Sequence, residues 1–518
     1  MPHREMQPGL VSLTKIVATL GPASDSDEAI TKLAEQGVSV FRLNFSHGSL
    51  DEHADLLARI RRVSERIGRP LAALGDLQGP KIRVGFVGGE GIEVHAGQDI
   101  VLSPDVDEAI DGDTPVLPCS YEPIVREVAP GRRILINDGA IRALAVEIAS
   151  PTTSGQRELR LRITSGGRIT TGRGINLPDS EVSAPAITEK DWRCVGWAIE
   201  HDIDFLALSF VREAADVRAL KDRLRSICTS EDTCGGALSG DDNEHRIPII
   251  AKIEKPQAVS NIEEILAEAD GIMVARGDLG VEMDLAQAPL VQKRLIRAAH
   301  RHGKPCIVAT QMLESMIEHS APTRAEVSDV ANAIFDGAGA TMLSGETAVG
   351  LHTALAVTMM RRVAIATERD LRESPERSAP PAALLAERHR TASVAHGAWH
   401  MARDVGAAVV AVWSQRGGAA RHLSLNNFRI PILAFSSDER AVRRMALLYA
   451  VTPILHLNPP EHRSEFARIV DEVVRTTGLA KPGERMVLLA GKPLGEPGVV
   501  NTVSIRMVGE MLSSEADD

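Results

Sequence analysis

The chain has 518 residues, more than one ordinary domain holds, so two to four domains are expected. Apolar residues at 44% suffice for buried cores, but aromatics at 3% leave Val, Ile, Leu, Ala and Met to fill them. A net charge of −12 excludes broad attraction to nucleic acid, five scattered cysteines (Cys119, Cys194, Cys228, Cys234, Cys306) exclude a disulfide framework, and no stretch is apolar enough to span a bilayer.

Met1 to Leu10 carries no apolar signal core, so a cytoplasmic protein with reduced thiols and no membrane association is expected. Lys15 to Thr19 reads as a strand, closed by Gly21-Pro22. Ser26 caps a helix from Asp27 that ends at Gly37. Val38 to Phe45 is a second strand, Leu50 to Ile67 a helix, and Leu71 to Leu74 a third strand leading to Asp76. Strands alternating with helices predict a parallel α/β fold. From 84 to 177 the rhythm breaks into Gly-, Pro- and β-rich segments such as Gly91 to Val94, Ile134 to Ile136 and Leu159 to Ile163, which predicts an inserted all-β domain.

Alternation resumes near Thr188. Strands are expected at Asp204 to Ser209, Pro248 to Lys252, Gly271 to Ala275, Lys304 to Ala309 and Ala340 to Leu343. Helices are expected at Ala214 to Ile227, Ser260 to Ala269, Asp284 to His302, Arg324 to Asp336 and Thr353 to Leu371. The polar run 229–245 reads as an exposed, mobile insertion. Eight strands in all predict a (β/α)₈ TIM barrel, its first part at 1–83 and its second at 178–372. A linker at 373–385 precedes a C-terminal α/β domain at 386–518, with strands at Ala407 to Trp413, Ile432 to Phe435 and Met486 to Ala490.

In such a barrel the active site lies at the C-terminal ends of the strands. Those ends collect Arg42, Asn44, Ser46, His47, Asp76, Lys252, Glu254, Arg276, Gly277, Asp278, Thr310, Gln311, Ser344 and Glu346. Lys252 and Glu254 are two residues apart, so they share one face of their strand. Glu254 and Asp278 are hard oxygen ligands suited to Mg²⁺ or Mn²⁺. Arg42, Arg83 and Lys252 are more cations than a neutral sugar needs and suit phosphate. Metal plus lysine facing phosphate is the equipment of phosphoryl transfer. A structural Lys252–Glu254 ion pair would leave the same trace. It is disfavoured, because desolvating such a pair costs several kcal/mol before the attraction counts.

Several blocks in order carry a resemblance: Arg42-Leu43-Asn44-Phe45-Ser46-His47-Gly48, Gly79-Pro80 with Ile82-Arg83, Ile250-Ala251-Lys252-Ile253-Glu254, Met273 to Gly280, Ala309 to Met316, Pro322 to Glu326, and Leu343-Ser344-Gly345-Glu346-Thr347. With these the chain resembles the pyruvate kinase family over almost its whole length. The resemblance implies transfer of a phosphoryl group from phosphoenolpyruvate to ADP, giving pyruvate and ATP. It implies Lys252 as the catalytic cation, Glu254 and Asp278 as Mg²⁺ ligands, and Arg42 on the transferring phosphate. Backbone N–H groups of Gly277 and Asp278, with Thr310, would bind the substrate carboxylate. Arg83, Asn44 and His47 would face the nucleotide, Arg173 would be a basic lid residue, and Thr310 or Ser344 would relay the final proton unless water supplies it. The inserted β domain resembles the family's lid.

Asn44, Ser46 and Asp76 match three residues of the family's monovalent-cation site, but Leu77 replaces its Thr and Lys81 stands where many members have Glu. The Lys81 ammonium is expected to supply the charge of K⁺, so that K⁺ is not required. By resemblance the last domain is regulatory. Ser414, Arg416, Gly417, Gly418 and Arg421 would cradle a sugar phosphate or nucleotide effector, although an ordinary strand–helix turn would read the same. The family implies a homotetramer, with Arg324 to Asp336 as a candidate interface helix. A metal-dependent aldolase of the phosphoenolpyruvate/pyruvate type and a non-catalytic metabolite sensor are the alternatives. The aldolase gives no reason for the inserted β domain or the Arg42 to His47 block.

Overall fold

The computed structural model describes residues 12–149, 158–227, 247–374, 390–491, 494–496 and 500–510. The run 229–245 and the stretch 375–385 of the expected linker lie outside the described residues.

Eight parallel strands close into one barrel: Lys15–Thr19, Val38–Asn44, Ala72–Asp76, Phe205–Leu208, Ile249–Ile253, Gly271–Ala275, Cys306–Ala309 and Ala340–Leu343. The first pairs with both the second and the eighth, so no edge remains. The third strand runs to Asp76 instead of stopping at Leu74, because Leu43 and Asn44 still pair with Gly75 and Asp76. Two expected helices, Ser260 to Ala269 and Asp284 to His302, begin later than expected. Asn261 separates Pro256–Ser260 from Ile262–Glu268, its side-chain amide donating to the Arg212 carbonyl oxygen. A 3₁₀ turn, Leu285–Gln287, capped by Asp284, precedes Ala288–Arg301, whose first turn holds Pro289. The helix Glu189–Glu200 is not among the predicted elements. It opens on a capping box in which Thr188 and Asp191 satisfy each other's backbone N–H, as Ser49–Glu52 and Thr323–Glu326 do elsewhere.

Between the third and fourth barrel strands lies a β-rich body with a six-stranded sheet, a separate two-stranded pair and one helical turn, Ile124–Glu127. It has its own core around Ile100, Leu102, Ile134, Leu159 and Leu161. The C-terminal sheet has five strands, in the order Val451–Leu455, Ile432–Ser436, Val409–Trp413, Arg485–Gly491 and Val500–Met507, with only the last antiparallel.

The barrel interior is filled by side chains such as Val17, Val40, Phe205, Ile250 and Met273, and that core continues into Leu447, Leu448 and Ala450 of the C-terminal unit. Contact is at the N-terminal ends of the strands, where Ala450 N–H donates to the Leu13 carbonyl oxygen at 2.8 Å. The C-terminal unit therefore closes the barrel floor and leaves the opposite rim clear. Asp204 anchors this floor. Its carboxylate accepts from Arg443 Nε at 2.7 Å, Arg61 Nη1 at 2.8 Å and the Ala73 N–H at 2.7 Å. Asp202 pairs with Arg443 and Arg440. Arg443→Ala leaves the buried Asp204 with one cation fewer, so a loss of about 3 kcal/mol is expected. Calorimetry should show a lower transition, with the C-terminal unit melting before the barrel.

Candidate active site

Lys252 and Glu254 do project together, as period-two alternation requires. Lys252 Nζ lies 3.0 Å from Glu254 Oε1 and 3.2 Å from Asp76 Oδ1. The ion pair disfavoured on the sequence is therefore made, but within a larger set. Asp76, 1% exposed, comes from the third strand and also takes Arg42 Nε of the second strand at 2.6 Å. Arg42 Nη1 donates to Thr19 Oγ1 of the first strand at 3.1 Å, and Thr19 donates onward to the Leu343 carbonyl oxygen of the eighth. Glu254 Oε2 accepts the Phe210 N–H at 2.7 Å. Side chains from strands far apart in sequence thus share one buried charge cluster.

Burial works against every charge here. It pushes the Asp76 carboxyl up, but Lys252 and Arg42 outweigh it and hold that carboxyl below the ordinary range. Burial pushes the Lys252 ammonium down, and Asp76 and Glu254 more than reverse it, so Lys252 stays protonated. Glu254 ends above the ordinary range, first from burial, with the Asp278 charge adding to it and Lys252 opposing it. Two carboxylates that repel each other fit a divalent cation. Among the described residues no group of three or more His, Cys, Asp and Glu could hold a metal. Glu254 and Asp278 offer hard oxygen donors, which suit an ion that keeps water and substrate oxygens, as Mg²⁺ does.

Gly277 and Asp278 open the helix Arg276–Glu282. The Gly277 N–H donates to Thr310 Oγ1 at 2.7 Å, and Thr310 Oγ1 donates to the Ala309 carbonyl oxygen at 2.6 Å. Phe210, Thr310 and Gln311 have φ of 55°, 67° and 53°, left-handed conformations that cost about 1–3 kcal/mol each and cluster at functional sites. Arg276 holds neighbouring loops, pairing with Asp329 and donating to the carbonyl oxygens of Thr310 and Gln311. Glu346 is likewise structural, accepting the N–H groups of Leu313 and Ser344. Ser344 Oγ is buried with no hydrogen-bond partner among the described residues.

Lys81 reaches from the base of the β-rich body to Asp278 at 3.7 Å and to Asp138 at 3.9 Å. It makes no ion pair with Asp76 among the described residues. The Leu77 side chain is buried in apolar packing, but its backbone carbonyl oxygen is still available to a partner and accepts from Ser209 Oγ at 2.6 Å. Asn44 Oδ1 accepts the Ser46 N–H. His47 is exposed three residues beyond the strand end Asn44, Arg83 Nη1 donates to the Gly172 carbonyl oxygen, and Arg173 is exposed, bonded to Thr170. In the C-terminal unit the Ser414 hydroxyl accepts the Ala420 N–H, Gly417 caps the helix Gly418–Leu425 with φ 85°, and Arg421 is 7% exposed. Ser414, Arg416, Gly417, Gly418 and Arg421 lie on a unit that meets the barrel at its floor, away from the rim.

The profile of "Pyruvate kinase, barrel domain" matches residues 11–357, and that of "Pyruvate kinase, alpha/beta domain" matches residues 392–506. The chain belongs to the pyruvate kinase family. It is 38% identical to a pyruvate kinase of Geobacillus stearothermophilus over 96% of this chain and 81% of that one. It is 36% identical to pyruvate kinases of Corynebacterium glutamicum and Thermotoga maritima, over 96% of this chain and 98% and 99% of theirs.

Ser209, Thr19 and Phe210 were not among the sequence candidates for this site. Ser209 ends the predicted strand Asp204 to Ser209, and that terminal position was a signal that could have pointed to it. Asp76→Asn removes a buried carboxylate from between two cations, so a loss of about 3–5 kcal/mol is expected at neutral pH. The folded-state pKa of Asp76 is depressed, so its contribution is present above the unfolded value of about 3.9 and lost as pH falls through the folded value. Denaturant titrations of both proteins should converge under strongly acidic conditions.

Proposed function

We propose that this chain transfers the phosphoryl group of phosphoenolpyruvate to ADP, forming pyruvate and ATP, the last step of glycolysis. The observation that carries this reading is one barrel rim holding Arg42, Lys252, Glu254 and Asp278 within mutual electrostatic reach, in a chain of this family. A β-phosphate oxygen of ADP attacks phosphorus as the bond from phosphorus to the enol oxygen breaks. The enolate left behind takes one proton at its methylene carbon. Lys252 contacts the phosphoryl group and neutralises the enolate oxygen, and Arg42 orients the phosphate. Thr310 and the backbone of Gly277 and Asp278 receive the substrate carboxylate, the Gly277 N–H exchanging its bond to Thr310 for one to substrate. Ser344 suits the proton relay better than Thr310, because its hydroxyl is buried without a partner among the described residues whereas the Thr310 proton is committed to Ala309. Glu254 and Asp278 would hold Mg²⁺, or Mn²⁺ in its place, which when bound supplies positive charge opposite the phosphate and enolate oxygens.

Asn44, His47, Arg83 and Arg173 form the nucleotide side, and the β-rich body closes over it to exclude water. Asn44, Ser46 and Asp76 are the remnant of a monovalent-cation site, with Lys81, which reaches the same rim at Asp278, supplying the missing charge. The divisions 1–83, 84–177, 178–372, 373–385 and 386–518 are part of the proposal, supported by the inserted body's own hydrophobic core and by apolar clusters confined to the barrel and to the C-terminal unit beside the one they share. So are a sugar-phosphate or nucleotide effector at Ser414 to Arg421, a cytoplasmic location without nucleic-acid partners, and a homotetramer. Exposed Leu285, Leu290 and Leu351 are the kind of apolar surface that a subunit contact covers. No helix among the described residues is long and apolar enough to cross a membrane.

Lys252→Met is expected to abolish ADP-dependent pyruvate formation while Mn²⁺ and phosphoenolpyruvate still bind, as read by paramagnetic resonance and isotherms; wild-type turnover would remove Lys252 from its role. Full activity is expected in tetramethylammonium buffer without K⁺. A fall to a small fraction of the rate in potassium would refute the part given to Lys81.

A further inference from the structure

We infer that Ser209 is a positioning residue for Lys252, a neutral acceptor that fixes the direction of the ammonium group. The inference rests on the reading of Lys252 as the cation that meets the transferring phosphoryl group.

Ser209 stands just past the fourth barrel strand and is 2% exposed. Its Oγ lies 2.6 Å from the Leu77 carbonyl oxygen, 2.7 Å from Lys252 Nζ and 3.3 Å from Asp76 Oδ1. A hydroxyl has one proton to give, and both Leu77 and ionised Asp76 only accept. The shorter contact takes it, so the proton lies toward Leu77. An ammonium only donates. Ser209 must therefore turn a lone pair to Lys252, and the Leu77 carbonyl oxygen locks it in that orientation.

The three N–H bonds of Lys252 then have three acceptors: Ser209 at 2.7 Å, Glu254 at 3.0 Å and Asp76 at 3.2 Å. Two are carboxylates, whose attraction is strong but weakly directional. Asp76 is also drawn toward Arg42. Left to them, a compact charge on a flexible four-carbon stem would settle between the two anions. Ser209 makes the shortest of the three contacts and adds no negative charge that would compete with a phosphoryl group. Removing its hydroxyl leaves the charge of Lys252 in place but frees its direction. Such a loss falls on the chemical step rather than on substrate binding.

The test compares Ser209→Ala, Ser209→Cys and Ser209→Thr with wild type and with Lys252→Met, using ADP-dependent pyruvate formation, KM for phosphoenolpyruvate, Mn²⁺ binding and thermal melting. Ala and Cys should lower kcat by about 10- to 100-fold, the range that small misplacement of a catalytic group produces. KM and Mn²⁺ affinity should stay within about threefold. Thr, which keeps an oxygen acceptor, should regain most of the rate, and Lys252→Met should be inactive. Wild-type kcat in Ser209→Ala beside an inactive Lys252→Met overturns the inference and leaves the reading of Lys252 standing. Turnover in Lys252→Met overturns that reading itself. Equal losses in kcat, KM and Mn²⁺ affinity make Ser209 merely structural and also overturn the inference. If Ser209→Ala does not fold, the Cys and Thr variants decide, since the inference requires Thr to be the faster.

Discussion

Charge removed from water must be answered by charge, and on this barrel rim the answer is Asp76. It is buried between Arg42 and Lys252, two cations that would repel each other without it. Its position requires the third strand to continue past Leu74, and its neighbours come from the second and fifth strands. Barrel closure, strand register and the charge state of Lys252 are therefore linked. A protonated Lys252 is available to a phosphoryl group because Asp76 and Glu254 offset what burial takes from it.

The fourth strand spans two such answers. At its start, Asp204 gathers Arg61 and Arg443 on the barrel floor. At its end, Ser209 meets Lys252 on the rim. Only Phe205 to Leu208 lie between them, all buried. The C-terminal unit is thus fastened to the same short strand that helps orient the lysine.

Much of the architecture was legible along the chain. Strand–helix alternation marked the barrel, and its interruption at 84–177 marked the inserted β-rich body. Element edges were less legible, because Asn261 and Pro289 set where helices begin, which apolar spacing alone does not fix. Rim residues were over-collected. Arg276 and Glu346 sit at strand ends like Lys252 and Glu254 do, but their side chains serve neighbouring loops. The desolvation argument against a Lys252–Glu254 pair considered two charges, while four share the site, and the extra partners change the balance.

By itself the sequence determined which residues stand at the strand ends, since period-two alternation and the ends of apolar runs are local properties of a chain. It determined family membership as well, because the motif blocks are local. Partner choice belonged to the tertiary structure. That Asp76 lies against both Arg42 and Lys252, that Ser209 turns to Lys252, and that Thr310 holds the Gly277 N–H all follow from how strands distant in sequence align when the sheet closes. Register between non-adjacent segments is set by global packing, and no short window of residues encodes it.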